Sequence, residues 1–178
     1  MTQQSEAVGT VSSLIERGGK YLTFRLQKEE YGLEILKVRE IIGLMDVTSV
    51  PQMPEYVAGV INLRGKVIPV VDLRLKFGMP HEEFTEETCI IVVDVASDAG
   101  ANAQVGIIVD TVCEVLDIQG EDIEPAPEFA ASVDTRFILG MGKVEEAVKI
   151  LLDIDKVLTI DDLSLVSEAS QAAAADSE

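Results

Sequence analysis

The segment Gly32-Leu-Glu-Ile-Leu-Lys-Val38-Arg-Glu40-Ile-Ile42 returns without a gap as Gly106-Ile-Ile-Val-Asp-Thr-Val112-Cys-Glu114-Val-Leu116, 74 residues later. Eleven residues beyond each glutamate stands a proline, Pro51 after Glu40 and Pro125 after Glu114. A Pro-Glu pair follows each, Pro54-Glu55 and Pro127-Glu128. Gly65-Lys66-Val67 then matches Gly142-Lys143-Val144 at an offset of 77. Val70-Val71-Asp72-Leu73 matches Leu151-Leu152-Asp153-Ile154 at 81, which implies four residues inserted in the second copy. Four blocks in one order make an internal repeat. Within 178 residues each copy is too small to bury a sufficient core alone, so the two are expected to pack against each other.

The signals inside each copy are those of strands. From Tyr21 to Gln27, Leu22, Phe24 and Leu26 alternate with Thr23, Arg25 and Gln27. An acidic turn at Glu29-Glu30 leads into Tyr31–Ile35. Lys66–Val71 reads as a strand whose Pro69 must lie at an edge or a bulge. Asp72 is placed to cap a short helix, Leu73–Phe77, that Gly78 ends. Cys89–Val95 is a continuous apolar strand, Ser97–Gln104 a polar loop, and Val105–Val109 the returning strand. A terminal helix is expected from Asp153 to Val166, and the Ala-rich, acidic Ser167–Glu178 reads as disordered. The expected fold is mainly β: two small five-stranded barrels around a shared core, with short helices and a C-terminal helix. The expected divisions are a flexible 1–19, a first barrel over 20–86, a second over 87–160, and a helical and acidic tail over 161–178.

Charge limits the partners. The chain carries 32 acids against 14 bases, a formal −18, and that field repels a phosphate backbone and an anionic membrane surface alike. No apolar run approaches the length of a membrane span. Met1–Gly9 has neither a basic start nor an apolar stretch, so it is no signal peptide. Proteins are the expected partners and the cytoplasm the expected place. Cys89 and Cys113 each sit in an apolar run and read as two buried thiols in a reducing compartment.

The residues for chemistry are sparse. The single His81 and two distant cysteines supply neither a His-based triad nor a metal cluster. Gly140-Met-Gly142-Lys143 lacks the remaining glycine and the hydroxyl residue of a phosphate loop, and reads as a strand-connecting turn. No catalytic residue, cofactor or metal is expected. Three features point outward. Asn62-Leu63-Arg64-Gly65 is a turn that presents an arginine, which in the blander reading is an ordinary solvent-facing charge. Val38 and Glu40 share a strand face if their segment is extended, a small contact patch; alternatively Val38 is core and Glu40 rim. A mean hydropathy of +0.24 leaves apolar surface for partners.

The order Glu30-Tyr-Gly-Leu-Glu-Ile-Leu-Lys-Val-Arg-Glu-Ile-Ile42, Pro54, Gly59-Val-Ile-Asn-Leu-Arg-Gly65 and Val67-Ile-Pro-Val-Val-Asp-Leu-Arg74 resembles the CheW family of bacterial chemotaxis. Val105-Gly-Ile-Ile-Val-Asp110 and Ile123-Glu-Pro-Ala-Pro-Glu128 extend the resemblance over residues 20 to 160. It implies two Src-homology-3-like barrels and a non-catalytic adaptor. The implied partners are the cytoplasmic tips of chemoreceptors and the regulatory domain of the histidine kinase CheA, with recruitment to membrane-associated receptor arrays. It also implies that Val38, Glu40 and Arg64 contact partners. The kinase itself and the receiver-bearing relative CheV need domains for which 178 residues leave no room. The alternative from another class is a small-ligand or enzymatic protein that reuses a double barrel.

Overall fold

Two sheets meet across one large apolar core. The computed structural model describes residues 17–96, 102–127 and 135–158. In chain order the strands are β1 (Gly19–Leu26), β2 (Glu29–Glu34), β3 (Val38–Gly43), β4 (Val57–Leu63), β5 (Lys66–Asp72), β6 (Cys89–Ala96), β7 (Asn102–Val109), β8 (Thr111–Ile118), β9 (Ile123–Glu124), β10 (Ile138–Val144) and β11 (Ala147–Leu152). Two four-residue helices, α1 (Leu73–Lys76) and α2 (Ile154–Val157), follow β5 and β11. One sheet runs β3-β6-β7-β5-β4 and the other β8-β1-β2-β11-β10-β9.

The repeat is written into the register. β5 runs parallel to β7 with Val70 beside Gly106, and β11 runs parallel to β2 with Leu151 beside Gly32. Val38 faces Val93 across one bulged edge pair, and Val112 faces Phe24 across the other. The backbone N–H of Asp72 donates to Tyr56 and that of Asp153 to Phe137, at 2.7 and 2.8 Å. The expected equivalences of Val38 with Val112 and Asp72 with Asp153 therefore hold.

The offset of 77 does not. Arg64 and Glu145, 81 residues apart, both take positive φ (52° and 57°) at the tips of the β4–β5 and β10–β11 hairpins. Gly140–Lys143 lies inside β10, so it is no connecting turn. The match of Gly65-Lys66-Val67 to Gly142-Lys143-Val144 is a coincidence of composition, four residues out of step with the backbone.

Each sheet is assembled from both repeats. The hairpin β1–β2 of the first repeat joins the sheet of β8–β11, and the hairpin β6–β7 of the second joins that of β3–β5. The division expected between 86 and 87 therefore separates no sheet. The reason is topological: each short crossover, after β2 and after β7, carries the chain into the other sheet. Small cores of matching membership lie within the two sheets. Ile42, Leu63 and Val70 serve one, and Leu116, Val144 and Leu151 stand at the equivalent places of the other. Between them lies the shared core, where Leu22, Phe24, Tyr31 and Leu33 meet Ile91, Val93, Val105 and Ile107.

Other local expectations are refined by this packing. On β1 the second face is also buried at Tyr21 and Thr23, because it looks into the small core of its own sheet; only Arg25 of that face is exposed. The first hairpin turns at Gln27, with φ 55°, ahead of Glu29-Glu30, which already belong to β2. Pro69 sits where β5 is paired only with β4, just before the ladder to β7 opens at Val70, so its missing N–H disrupts nothing. Asp72 caps α1, accepting from the Arg74 N–H at 3.1 Å, and Gly78 follows with φ 76°. One sheet has five strands as expected. The other gains a sixth, the two-residue β9, where its counterpart has only a single bridge from Thr48 to Val60. The expected terminal helix is cut short: α2 spans four residues and ends at Leu158, whose backbone is extended (φ −111°, ψ 95°), while residues 159–178, with the tail, and residues 1–16 lie outside the described residues. Cys113 is exposed and Cys89 half-buried, both free; Cys113 falls at the bulge of the terminal strand β8, which turns it outward.

Candidate functional site

The β4–β5 turn is built for display. Arg64 and Gly65 both take positive φ, 52° and 84°, the geometry of a type I′ hairpin turn. The Asn62 side-chain oxygen closes it by accepting from the Gly65 N–H at 2.9 Å. A left-handed arginine is uncommon, and here it carries the guanidinium clear of the sheet, 71% exposed. That guanidinium reaches β3, where Nη1 donates to Glu40 Oε2 at 3.3 Å and Nη2 donates to Oε1. The sequence places the two charges 24 residues apart; the fold makes them one fork-to-fork pair.

Val38 is not part of that pair. Its cross-strand partner is Val93, whereas the partner of Glu40 is Val92. Because Val92 and Val93 point to opposite faces, so do Val38 and Glu40. The bulge at Arg39 inserts one residue and breaks the alternation that would have put both on one face. Val38 is packed against the shared core and Glu40 looks the other way, toward Arg64. The blander arrangement, Val38 toward the core and Glu40 on the rim, is the one observed. Ile41 on β3, Leu44 after it and Val67 on β5 are among the exposed large hydrophobics; Ile41, paired with Ile91, points to the face opposite Glu40.

A second charged cluster escaped the sequence reading. Arg74 at the start of α1 is nearly buried, and its Nε donates to Asp110 Oδ1 at 2.6 Å while Nη2 donates to Oδ2. Those hydrogen bonds hold the guanidinium above its usual range. Asp110 also accepts from the Gln27 N–H at 2.8 Å. Beneath it Asp72 is pushed up chiefly by burial. Asp72 and Val109-Asp110 stand within the repeat, and Arg74 directly follows its block at Leu73. What would have exposed the pair is its asymmetry: the position equivalent to Arg74 is Asp155. There the polarity is reversed. Asp155 accepts from Lys37 and from the Ala96 N–H, at 2.8 and 2.9 Å. Each ion pair thus ties a crossover between sheets to the short helix beside it. Among the described residues no three His, Cys, Asp or Glu side chains converge on a metal position, and no helix is long and apolar enough to cross a membrane.

The comparisons agree with this architecture. A family model for the CheW-like domain matches residues 20–162. The chemotaxis protein CheW of Klebsiella aerogenes is 40% identical over 166 residues, covering 92% of this chain and 97% of that protein. The CheW of Bacillus subtilis is 34% identical, covering 91% and 96%. The crystal structure of the scaffolding protein TtCheW from Thermoanaerobacter tengcongensis aligns with a TM-score of 0.72 at 34% identity, over 82% of this chain and 90% of that one. With two Src-homology-3-like β domains, a repeat written into their register and relatives matched over nearly their full length, the chain belongs to the CheW family of chemotaxis proteins.

Proposed function

We propose that this chain is a non-catalytic adaptor that couples the cytoplasmic tips of chemoreceptors to the regulatory domain of the histidine kinase CheA, in the cytoplasm and at membrane-associated receptor arrays. The observation that carries the reading is family membership over nearly the whole length of the relatives, one of them described as a scaffolding protein. The Glu40–Arg64 pair supplies its contact: two charges on a terminal strand and a hairpin tip, on strands that also expose Ile41 and Val67. A planar, bidentate charge pair beside strands that expose apolar side chains suits a protein interface. Val38 belongs to the same contact by way of the strand. A partner lying along the terminal strand β3 reaches both of its faces.

Co-sedimentation tests the proposal. The chain should pellet with receptor-tip fragments and the CheA regulatory domain together, and Arg64→Glu should lose at least one of them while its melting curve is unchanged. Failure to pellet with either partner would refute the adaptor role.

A further inference from the structure

Leu36 is held out of the fold. It is 90% exposed, where the other exposed large hydrophobics lie between 38 and 51%. The short 3-10 turn that carries it, Ile35–Lys37 between β2 and β3, is fixed on both sides. Ile35 packs against the shared core, and Lys37 Nζ donates to Asp155 of α2 at 2.8 Å. Leu36 is therefore an apolar knob on a pinned crossover, beside the helix after which the described residues end.

The second repeat shows what lies over this position. The equivalent of Leu36 is Asp110, 74 residues on, and the equivalent of α2 is α1, 81 residues back. After α1 the chain turns at Gly78, buries Met79 and passes beside Asp110. Glu82 and Asp110 both reach Arg74 Nη2, and Glu82, Glu83, Phe84 and Thr85 line one hollow with Asp110. At an offset of 81 the counterpart of Met79 is Ile160, that of Glu82 is Leu163 and that of Phe84 is Leu165. Both sides of the contact change character together: Asp110 and Glu82 in one repeat, Leu36 and Leu163 in the other. The turn at Gly78 is not repeated, since the β-branched Thr159 stands in its place and Leu158 is extended. The segment must arrive by another turn, and its length allows that. Residues 159–163 reach up to roughly 17 Å, from a helix that already touches the neighbour of Leu36.

We propose that residues 160–166 fold back over the crossover after β2 and cover Leu36 with Leu163 and Leu165. Tethering favours this occupant over a second copy of the chain. A segment on a short link acts at a high effective concentration, whereas two bodies that each carry −18 repel.

Hydrogen exchange of the full chain, read by mass spectrometry on peptic fragments, tests the proposal. Amides of 160–166 should exchange at least tenfold more slowly than those of 171–178. Leu36→Ser should speed them at least fivefold, while Val115→Ser, at an exposed valine on β8, should leave them within twofold. The reciprocal variant Leu163→Ser/Leu165→Ser leaves the body of the fold untouched and should speed exchange in the Ile35–Lys37 turn, which keeps the test intact should Leu36→Ser fold poorly. Equal exchange of 160–166 in the wild type and Leu36→Ser would mean that any order there is local, and would overturn the proposal. So would protection that disappears on tenfold dilution, which would give Leu36 to a second copy. Absence of protection in the isolated chain would overturn it as well, and would leave Leu36 to another protein.

Discussion

Glu40 and Arg64 face each other across the end of one sheet through two charge-assisted hydrogen bonds, although the strand that carries Glu40 and the hairpin that carries Arg64 lie at opposite ends of the strand order. The bulge at Arg39 turns Glu40 to that side. At the equivalent places of the second repeat stand Glu114 and Glu145, two acids, so the pair is a property of the first repeat alone. There the bulge is held differently: the Thr23 hydroxyl bonds both the carbonyl and the N–H of Glu114 at 2.7 and 3.1 Å, whereas the residue opposite the bulge at Arg39 is Val92, which has no hydroxyl.

An exposed pair of this kind contributes about 0.2–1 kcal/mol to stability. Glu40→Lys and Arg64→Glu should accordingly keep melting temperatures close to that of the wild type. If both side chains touch a partner, each single variant should lose roughly 30-fold or more in affinity for a receptor tip or the CheA regulatory domain. The exchanged double variant, Glu40→Arg with Arg64→Glu, rebuilds the internal pair with the charges swapped and should bind no better than the singles. Recovery of binding in the exchanged variant would show that the pair only positions the turn.

The two crossover ion pairs should differ in weight. Arg74 is nearly buried, whereas Lys37 and Asp155 remain about a third exposed. Asp110→Ala strands a buried guanidinium and should cost about 3 kcal/mol or more. Lys37→Ala removes a partly solvated partner, leaves Asp155 its bond from Ala96, and should cost about 1 kcal/mol or less. Urea unfolding midpoints of the two variants decide it; equal losses would mean that the Arg74 site is better solvated than its geometry implies.

Glycines at close approaches give a third test. A Cβ at Gly59, where φ is 145°, would stand 2.0 Å from the Thr48 carbonyl oxygen, a backbone atom fixed by the bridge to Val60. At Gly106 it would meet the Ile90 Cγ2 methyl at 2.8 Å, a side-chain end that can rotate. Gly59→Ala should therefore lose about 3 kcal/mol or more, and Gly106→Ala distinctly less. The reverse order in thermal melts would place the strain elsewhere.

The duplication and the β class were legible because both are periodic. Gly32 and Gly106 mark the two points where a parallel strand crosses close to its neighbour, and identical demands left identical residues. The pairing of Glu40 with Arg64 was not legible, since it depends on a one-residue bulge that strand alternation cannot reveal. The exchange of hairpins between sheets was equally hidden. A repeat in sequence says that two units are alike, and says nothing of which unit completes which sheet. Arg74 and Asp110 were readable as residues, but their union needs the crossover geometry that sets them side by side.

The last prediction concerns Tyr31, whose ring lies in the shared core, stacked on Phe24 and tilted against Phe77, with its hydroxyl unpartnered. Burial pushes the Tyr31 and Tyr21 hydroxyls up to about 12, from an ordinary value of 10.0. Both stay protonated in the folded chain at pH values where the unfolded chain has released those protons. Their contribution to stability is thus complete below pH 10 and is lost as pH rises toward 12. Tyr31→Phe removes one of the two, together with a buried polar atom that gains nothing from its surroundings. At pH 7 the variant should be as stable as the wild type or more so by about 1 kcal/mol, because deleting an unsatisfied hydroxyl relieves its desolvation cost. Between pH 10 and 12 its stability should fall less steeply than that of the wild type, by one proton's dependence. Urea unfolding at half-unit steps of pH, with tyrosinate absorbance followed in parallel, measures both. A loss above about 1 kcal/mol at pH 7 would mean that the hydroxyl has a partner in solution, and parallel alkaline slopes would mean that it ionises as freely folded as unfolded.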